Sequence, residues 1–215
     1  MLSTLRVVTP PASPAVPLAV VKQHIRVDNA GDDALLAFYV ESATQTVEAY
    51  LNRCLVTQTL AWTVQEMPPG NVPLVPAGNL FVLPLAFSGA TFTGRALELP
   101  RAPVQQVLSV RVGTGDAARD VAADRYALDV GQDPARLRLL GGLSLYGGAY
   151  GTQGFSVTFR AGYGDTPDSI PAPIRHGVML LCGSLYENRG DTADGGEMPA
   201  VVSRLLSPWR VAVFA

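Results

Sequence analysis

The residues able to do chemistry are few and scattered. The chain has two histidines, His24 and His176. Neither has a second histidine or a cysteine three or four residues away, so no HExxH-like arrangement of metal ligands on one helix face exists. Cys54 and Cys182 show no metal spacing and no bridge framework. They read as small buried hydrophobes, and their number suits a reducing compartment. Ser184 follows Gly183 inside a helical pattern and lacks the strand-to-helix elbow that exposes a nucleophile. Residues 141–154 hold six glycines and two tyrosines. They lack the lysine of a phosphate loop and precede a strand pattern, so they read as a mobile loop or a ring contact. Asp32 and Asp33 could be paired carboxylates, but a helix starts there, and capping and the helix dipole account for both. Asp165 and Asp168 belong to a turn ahead of Pro171 and Pro173. No catalytic, cofactor-binding or metal-binding residue is expected, and this weighs against an enzyme.

The bulk of the chain bounds the remaining classes. Its 215 residues are 48% hydrophobic and only 16% charged, a composition that folds and leaves much neutral surface for neighbouring subunits to cover. The net charge is −2, from 16 basic and 18 acidic residues, with Lys22 the one lysine. A DNA-packaging factor needs a basic face, and none is visible. A weakly acidic chain could instead line a passage through which DNA slides without sticking. No apolar run nears the ~20 residues that span a bilayer, and residues 1–17 lack a basic start before an apolar core. A soluble, unprocessed protein is expected.

The elements that must position any site follow from periodicity. Pro10, Pro11 and Pro14 make residues 1–16 an extended arm that refuses helix. Pro17 can open a short helix carrying Leu18, Val21 and Ile25. After Asp32 comes the clearest helix, with Leu35, Leu36, Tyr39, Ala43, Val47, Tyr50 and Leu51 in one stripe. At Val56 the texture turns to β-formers, and short strand candidates follow at residues 80–85, 97–99, 107–112, 126–130, 137–140 and 155–160. Helix returns after Pro171 and Pro173 with Ile174, Val178, Leu181 and Leu185, closed at residues 188–190 with Gly190 as a left-handed cap. A Gly- and Asp-rich linker at 191–197 leads to a last short helix that starts at Pro199 and ends at Pro208. The fold class is α+β: a helical base from the N- and C-terminal helices with an inserted antiparallel β domain, a small sandwich or barrel. The expected divisions are the arm (1–16), the first part of the base (17–55), the β domain (56–165), the second part of the base (166–190), and a linker, short helix and tail (191–215). Trp209 and Phe214 lie beyond the last helix in a tail too short to make a core. They suit anchoring in a partner's pocket as well as folding back.

Several motifs together resemble the phage head-tail connector family, the gp6-like proteins and the longer phiE125 gp8-like members. Val16-Pro17-Leu18-Ala19, His24-Ile25-Arg26-Val27-Asp28 and Asp32-Asp33-Ala34-Leu35-Leu36 resemble its opening. Val47-Glu48-Ala49-Tyr50-Leu51-Asn52-Arg53 and the pair Gln58-Thr59 resemble its next stretch. Phe159-Arg160-Ala161-Gly162-Tyr163-Gly164-Asp165 is similar to its closing strand and turn. The helix from Ile170-Pro171 to Glu187-Asn188-Arg189 and the sequence Leu205-Leu206-Ser207-Pro208-Trp209-Arg210 resemble its end. The middle, residues 68–153, matches only in kind.

The resemblance implies a structural role in the virion of a phage or a gene transfer agent, made in the bacterial cytoplasm. It implies a ring of about twelve copies at the head-tail interface. The ring would join the portal protein to a stopper or tail protein and leave a channel for DNA without sequence specificity. It also implies partner binding at the C-terminal end, on Leu205, Leu206, Pro208, Trp209, Arg210, Val211, Val213 and Phe214. No membrane and no cofactor are implied. The competing expectation is a ligand- or carbohydrate-binding β-sandwich, or an enzyme with an unrecognised site. It needs a concave polar pocket, and the turns offer few clustered aromatics to line one.

Overall fold

The computed structural model describes residues 3–64, 96–113, 118–140, 154–188 and 198–211. The strand expected at 80–85, the glycine-rich stretch after Leu140, the 191–197 linker and the cap at Gly190 lie outside these residues. The elements run β1 (Ser3–Thr9), α1 (Leu18–Ile25), α2 (Asp33–Leu51), β2 (Gln58–Val64), β3 (Ala96–Glu98), β4 (Val104–Val112), β5 (Arg119–Asp120), β6 (Tyr126–Asp129), β7 (Arg136–Leu139), β8 (Phe155–Ala161), α3 (Ala172–Glu187) and α4 (Ala200–Leu206). The fold is α+β: after β1 come α1 and α2, then the strands β2 to β8, then α3 and α4. Its Cα atoms form two compact units: residues 1–8, 59–100 and 104–160, and residues 9–58, 101–103 and 161–215.

The first unit holds two sheets. One has five strands in the order β1-β2-β8-β4-β5, and the other has three in the order β3-β7-β6. Alternation places the central strands. In both β2 and β8 every second residue is buried, so Leu60, Trp62 and Val64 enter the core with Phe155, Val157 and Phe159, as a period of two requires. In the smaller sheet β7 pairs antiparallel with both neighbours, Leu137 facing Leu97 on one side and Leu128 on the other. Both sheets are open, so among the described residues there is no closed barrel. Sequence reasoning missed two strands. Residues 3–9 fall in the extended arm expected from Pro10, Pro11 and Pro14, yet they join the sheet as β1, because an edge strand needs only a partner's backbone. The two-residue β5, paired with Arg111 and Val112, is too short to leave a pattern.

The second unit is the helical one. α2 packs on α3, α1 on both, and α4 on α3. Its core joins Val21, Val40, Ala43, Val47 and Leu51 to Ile174, Val178, Leu181 and Cys182, with Val202 and Leu206 from α4. Val40 belongs to this stripe and Leu35 is only half-buried. α1 ends at Arg26 and α2 at Asn52, both in the left-handed region with φ of 58° and 54°, where each backbone N–H closes the last turn. Gly177 lets α4 approach α3: a Cβ there would stand 2.8 Å from Leu206 Cδ2.

The aspartates at the start of α2 serve tertiary contacts and not capping. Asp32 is the N-cap by position but makes no side-chain cap bond. Its Oδ2 accepts from the Tyr186 hydroxyl of α3 at 2.6 Å. Asp33 pairs with Lys22 Nζ at 2.5 Å, and the same ammonium donates to the Asn29 carbonyl at 2.8 Å, closing the α1–α2 turn. A single-sequence reading sees only that acids suit a helix start; the partners come from 11 and 154 residues away.

Candidate docking surface

The motifs that carry the family resemblance converge in the helical unit. At the end of α2, Glu48 turns its carboxylate inward. Oε1 accepts from the Leu55 N–H at 2.7 Å and from Gln58 Nε2 at 3.1 Å, and Oε2 is 3.3 Å from the same amide. The Arg101 guanidinium donates to the Glu48 carbonyl oxygen. Around this pair the backbone of three separate segments is stitched together. Cys54 N–H donates to Ala102 O, Ala102 N–H to Asn52 O, Gly162 N–H to Pro103 O, Tyr163 N–H to Leu55 O and Thr57 N–H to Gly164 O, all between 2.8 and 3.2 Å. This joint lies where the chain leaves the helical unit and returns to it. Glu48, Gln58 and Gly162 were separate family markers in the sequence; the structure makes them one assembly. Local pattern carried no signal for it: Glu48 falls off the apolar stripe of α2, and its donors Leu55 and Gln58 lie beyond the helix.

Burial raises the pKa of Glu48, and the Leu55 N–H, Gln58 and Arg101 only partly offset it. Because the folded value lies above the ordinary 4.5, the associated stability is fully present below that pH and lost as pH rises through the folded value. Glu48→Gln keeps an acceptor for Leu55 and removes the titration. The variant should therefore show a flatter loss of stability than the parent as pH rises above 4.5, read from urea midpoints over a pH series. Parallel curves for the two proteins would contradict this. Burial also pushes the Cys54 thiol up to about 12, with Glu48 adding to it, and Cys182 to about 11, so both are unreactive small core residues.

The C-terminal segment lies on the same end of α2. Val211 N–H donates to Leu51 O at 3.0 Å, and Arg53 Nε donates to Trp209 O at 2.7 Å. The Tyr50 hydroxyl donates to Ser203 O at 3.3 Å. Arg53 also lies 5.9 Å from the Tyr163 ring centre, and Arg210 lies 5.3 Å over the ring of Tyr50. α4 runs into a 3-10 turn at Ser207–Trp209, where Pro208 is tolerated because its missing N–H falls at the first turn. The expected partner-binding residues thus divide. Leu206 and Val211 are 0% and 6% exposed and belong to the chain's own core. Leu205 and Trp209 are half-buried, and Pro208 and Arg210 are exposed. Val213 and Phe214 lie outside the described residues. The apolar spacing of Val202, Leu206 and Val211 signals a core strip; the adjoining linker pattern concealed it.

The chemistry expected to be absent can be placed as well. His24 and His176 come together across α1 and α3, their rings edge to face with centres 6.4 Å apart. Among the described residues no group of three His, Cys, Asp or Glu side chains is gathered as a metal site would need. Among those residues, too, no helix is long and apolar enough to cross a membrane.

A joint built by just these motifs is what comparison with known proteins bears on. Residues 16–77 match the family model described as Phage gp6-like head-tail connector protein. The resemblance read from the sequence stands on that match, which includes the α1–α2 hairpin and the Glu48–Gln58 part of the joint. No curated protein sequence matches the chain. Among solved structures, a chain from "Neck of empty GTA particle computed with C6 symmetry" superposes with a TM-score of 0.72 at 23% identity, covering 99% of this chain and 97% of the other. One from "Virion of native gene transfer agent (GTA) particle" gives 0.71 at 23%, covering 98% and 97%. One from "Neck of native GTA particle computed with C12 symmetry" gives 0.67 at 22%, covering 99% and 97%. At this identity the likeness establishes a shared fold along nearly the whole of both chains, well past the stretch that the family model covers.

Proposed function

We propose that this chain is a structural subunit of the neck of a phage-like particle, a head-to-tail adaptor and not an enzyme. About twelve copies form a ring that docks on the portal on one side and on a stopper or tail protein on the other. The carrying observation is the whole-length fold likeness to chains of gene transfer agent necks, joined to the connector match at residues 16–77. The charge supports a channel role: a chain of net charge −2 with one lysine cannot neutralise many phosphates at once, so DNA passes without being held.

The portal-facing surface is the outer side of the C-terminal segment, with Leu205, Pro208, Trp209, Arg210, Val213 and Phe214. Trp209 is held by its carbonyl through Arg53, so its ring is presented in a fixed place and little entropy is lost on docking. Truncating a buried aromatic anchor costs roughly 2–4 kcal/mol. Trp209→Ala should therefore weaken binding of the purified chain to portal rings at least about tenfold with its circular dichroism unchanged. Unchanged portal affinity in Trp209→Ala, Arg210→Ala and Phe214→Ala alike would move the docking surface elsewhere.

A further inference from the structure

The five-stranded sheet is open at both ends, and both ends carry exposed aliphatic side chains. β1 is its outer strand on one side. Six of its seven residues are exposed and Leu5 is half-buried, although a strand at the edge of a packed sheet ordinarily buries one face. Val7 is 50% and Val8 48% exposed, one on each face of the strand. The devices that blunt an edge, proline or inward-pointing charge, are missing from β1, whose one charged residue is Arg6. At the other end β5 pairs only with Arg111 and Val112 of β4. β4 continues beyond that pair, and among the described residues no strand lies beside it on that side at 106–109. Leu108 there is 48% exposed. Among the described residues, one sheet thus presents at each end an edge with no strand beside it, each with apolar side chains that a neighbouring strand would cover.

The two edges belong to different surfaces of the same chain, so copies joining through them do so head to tail, the contact that closes into a ring when the rotation permits. Resting on the ring reading above, we infer that β1 of one copy pairs with the outer edge of β4 in the next copy, so that the sheet continues from subunit to subunit. Val7 or Val8 then packs beside Leu108 of the neighbour, and the backbone groups of β1 that face away from β2 find their partners in the second copy.

Two double variants test this, Val7→Cys with Leu108→Cys and Val8→Cys with Leu108→Cys. Successive strand residues point to opposite faces, so one pair shares a face with its partner, and the native cysteines are buried. Rings assembled on the portal and then oxidised should give a ladder of covalent oligomers with one of the double variants and none with any single variant. Rings visible by negative-stain electron microscopy without a ladder from either pair would overturn the inference. Absence of rings even from the parent chain would overturn the ring reading and this inference with it. A chain lacking residues 1–8 gives an independent check. It loses almost no buried side chain, so it should melt within a few degrees of the parent yet form no rings; intact rings from it would also overturn the inference.

Discussion

Replacing Gly162 with alanine is expected to cost the helical unit most of its stability. The residue sits at φ 139°, a backbone conformation that L side chains rarely adopt. An added Cβ would stand 2.5 Å from Thr57 N and 2.6 Å from Thr57 Cα and the Val56 carbonyl carbon. These are backbone atoms and cannot swing aside as a side chain can. Any shift also pulls on the Gly162–Pro103 and Tyr163–Leu55 bonds, which hold together the joint around Glu48. Strain at a special φ and overpacking act together here, so the loss should be about 3 kcal/mol or more. The measurement is the urea midpoint of the purified variant against the parent. A difference under about 0.5 kcal/mol, the range of ordinary surface changes, would mean that the 55–57 and 162–164 segments are not packed as described.

The second large effect concerns the C-terminal segment. A chain ending at Met198 loses Val202, Leu206 and Val211 from its core and leaves Gly177, which exists to admit Leu206, facing a void. Leu206→Ala alone should cost about 2–5 kcal/mol. The truncation should cost more and leave the protein largely unfolded at 37 °C. Thermal melts of the three proteins decide it. A truncated chain as stable as the parent would show the segment to be a free anchor that only rests on α3. The expected order of stability is parent, Trp209→Ala, Leu206→Ala, truncation, because Trp209 is only partly buried against the core and Leu206 fully. The melts thereby separate the two roles: Leu206 and Val211 serve stability, and the proposed portal docking falls to Trp209 and Arg210.

How much of this the sequence displayed depends on the range of the physics involved. Periodicity is local, so α2, α3 and the alternating strands β2 and β8 were legible within a residue or two of their ends. The connector resemblance was legible because its motifs lie in order along the chain. Edge strands were not. β1 borrows its stability from another strand's backbone, and nothing in Ser3-Thr4-Leu5-Arg6-Val7-Val8-Thr9 distinguishes it from an extended arm. Nor was the three-residue return of Arg101, Ala102 and Pro103 to the helical unit, which interrupts the β region that the sequence presents as continuous. The roles of Asp32, Glu48 and Arg53 were hidden for a similar reason. Each side chain is explained locally by helix position, and its actual partner, Tyr186, Gln58 or Trp209, is fixed only by the fold. The inward side of the C-terminal segment was not legible: apolar character alone could not separate Leu206 and Val211, which are buried, from Leu205 and Trp209, which are half-buried.

The claim on which all of this turns is that the chain is a ring subunit of a particle neck. Electron cryomicroscopy of purified particles tests it most directly, with the neck reconstructed and this chain's two units fitted to the density. The predicted result is a closed ring of about twelve copies of this fold between portal and tail, with the segment around Trp209 against the portal and a central opening wide enough for duplex DNA. A neck with no density that accepts this fold, or particles from which this chain is absent while head and tail remain joined, would contradict it.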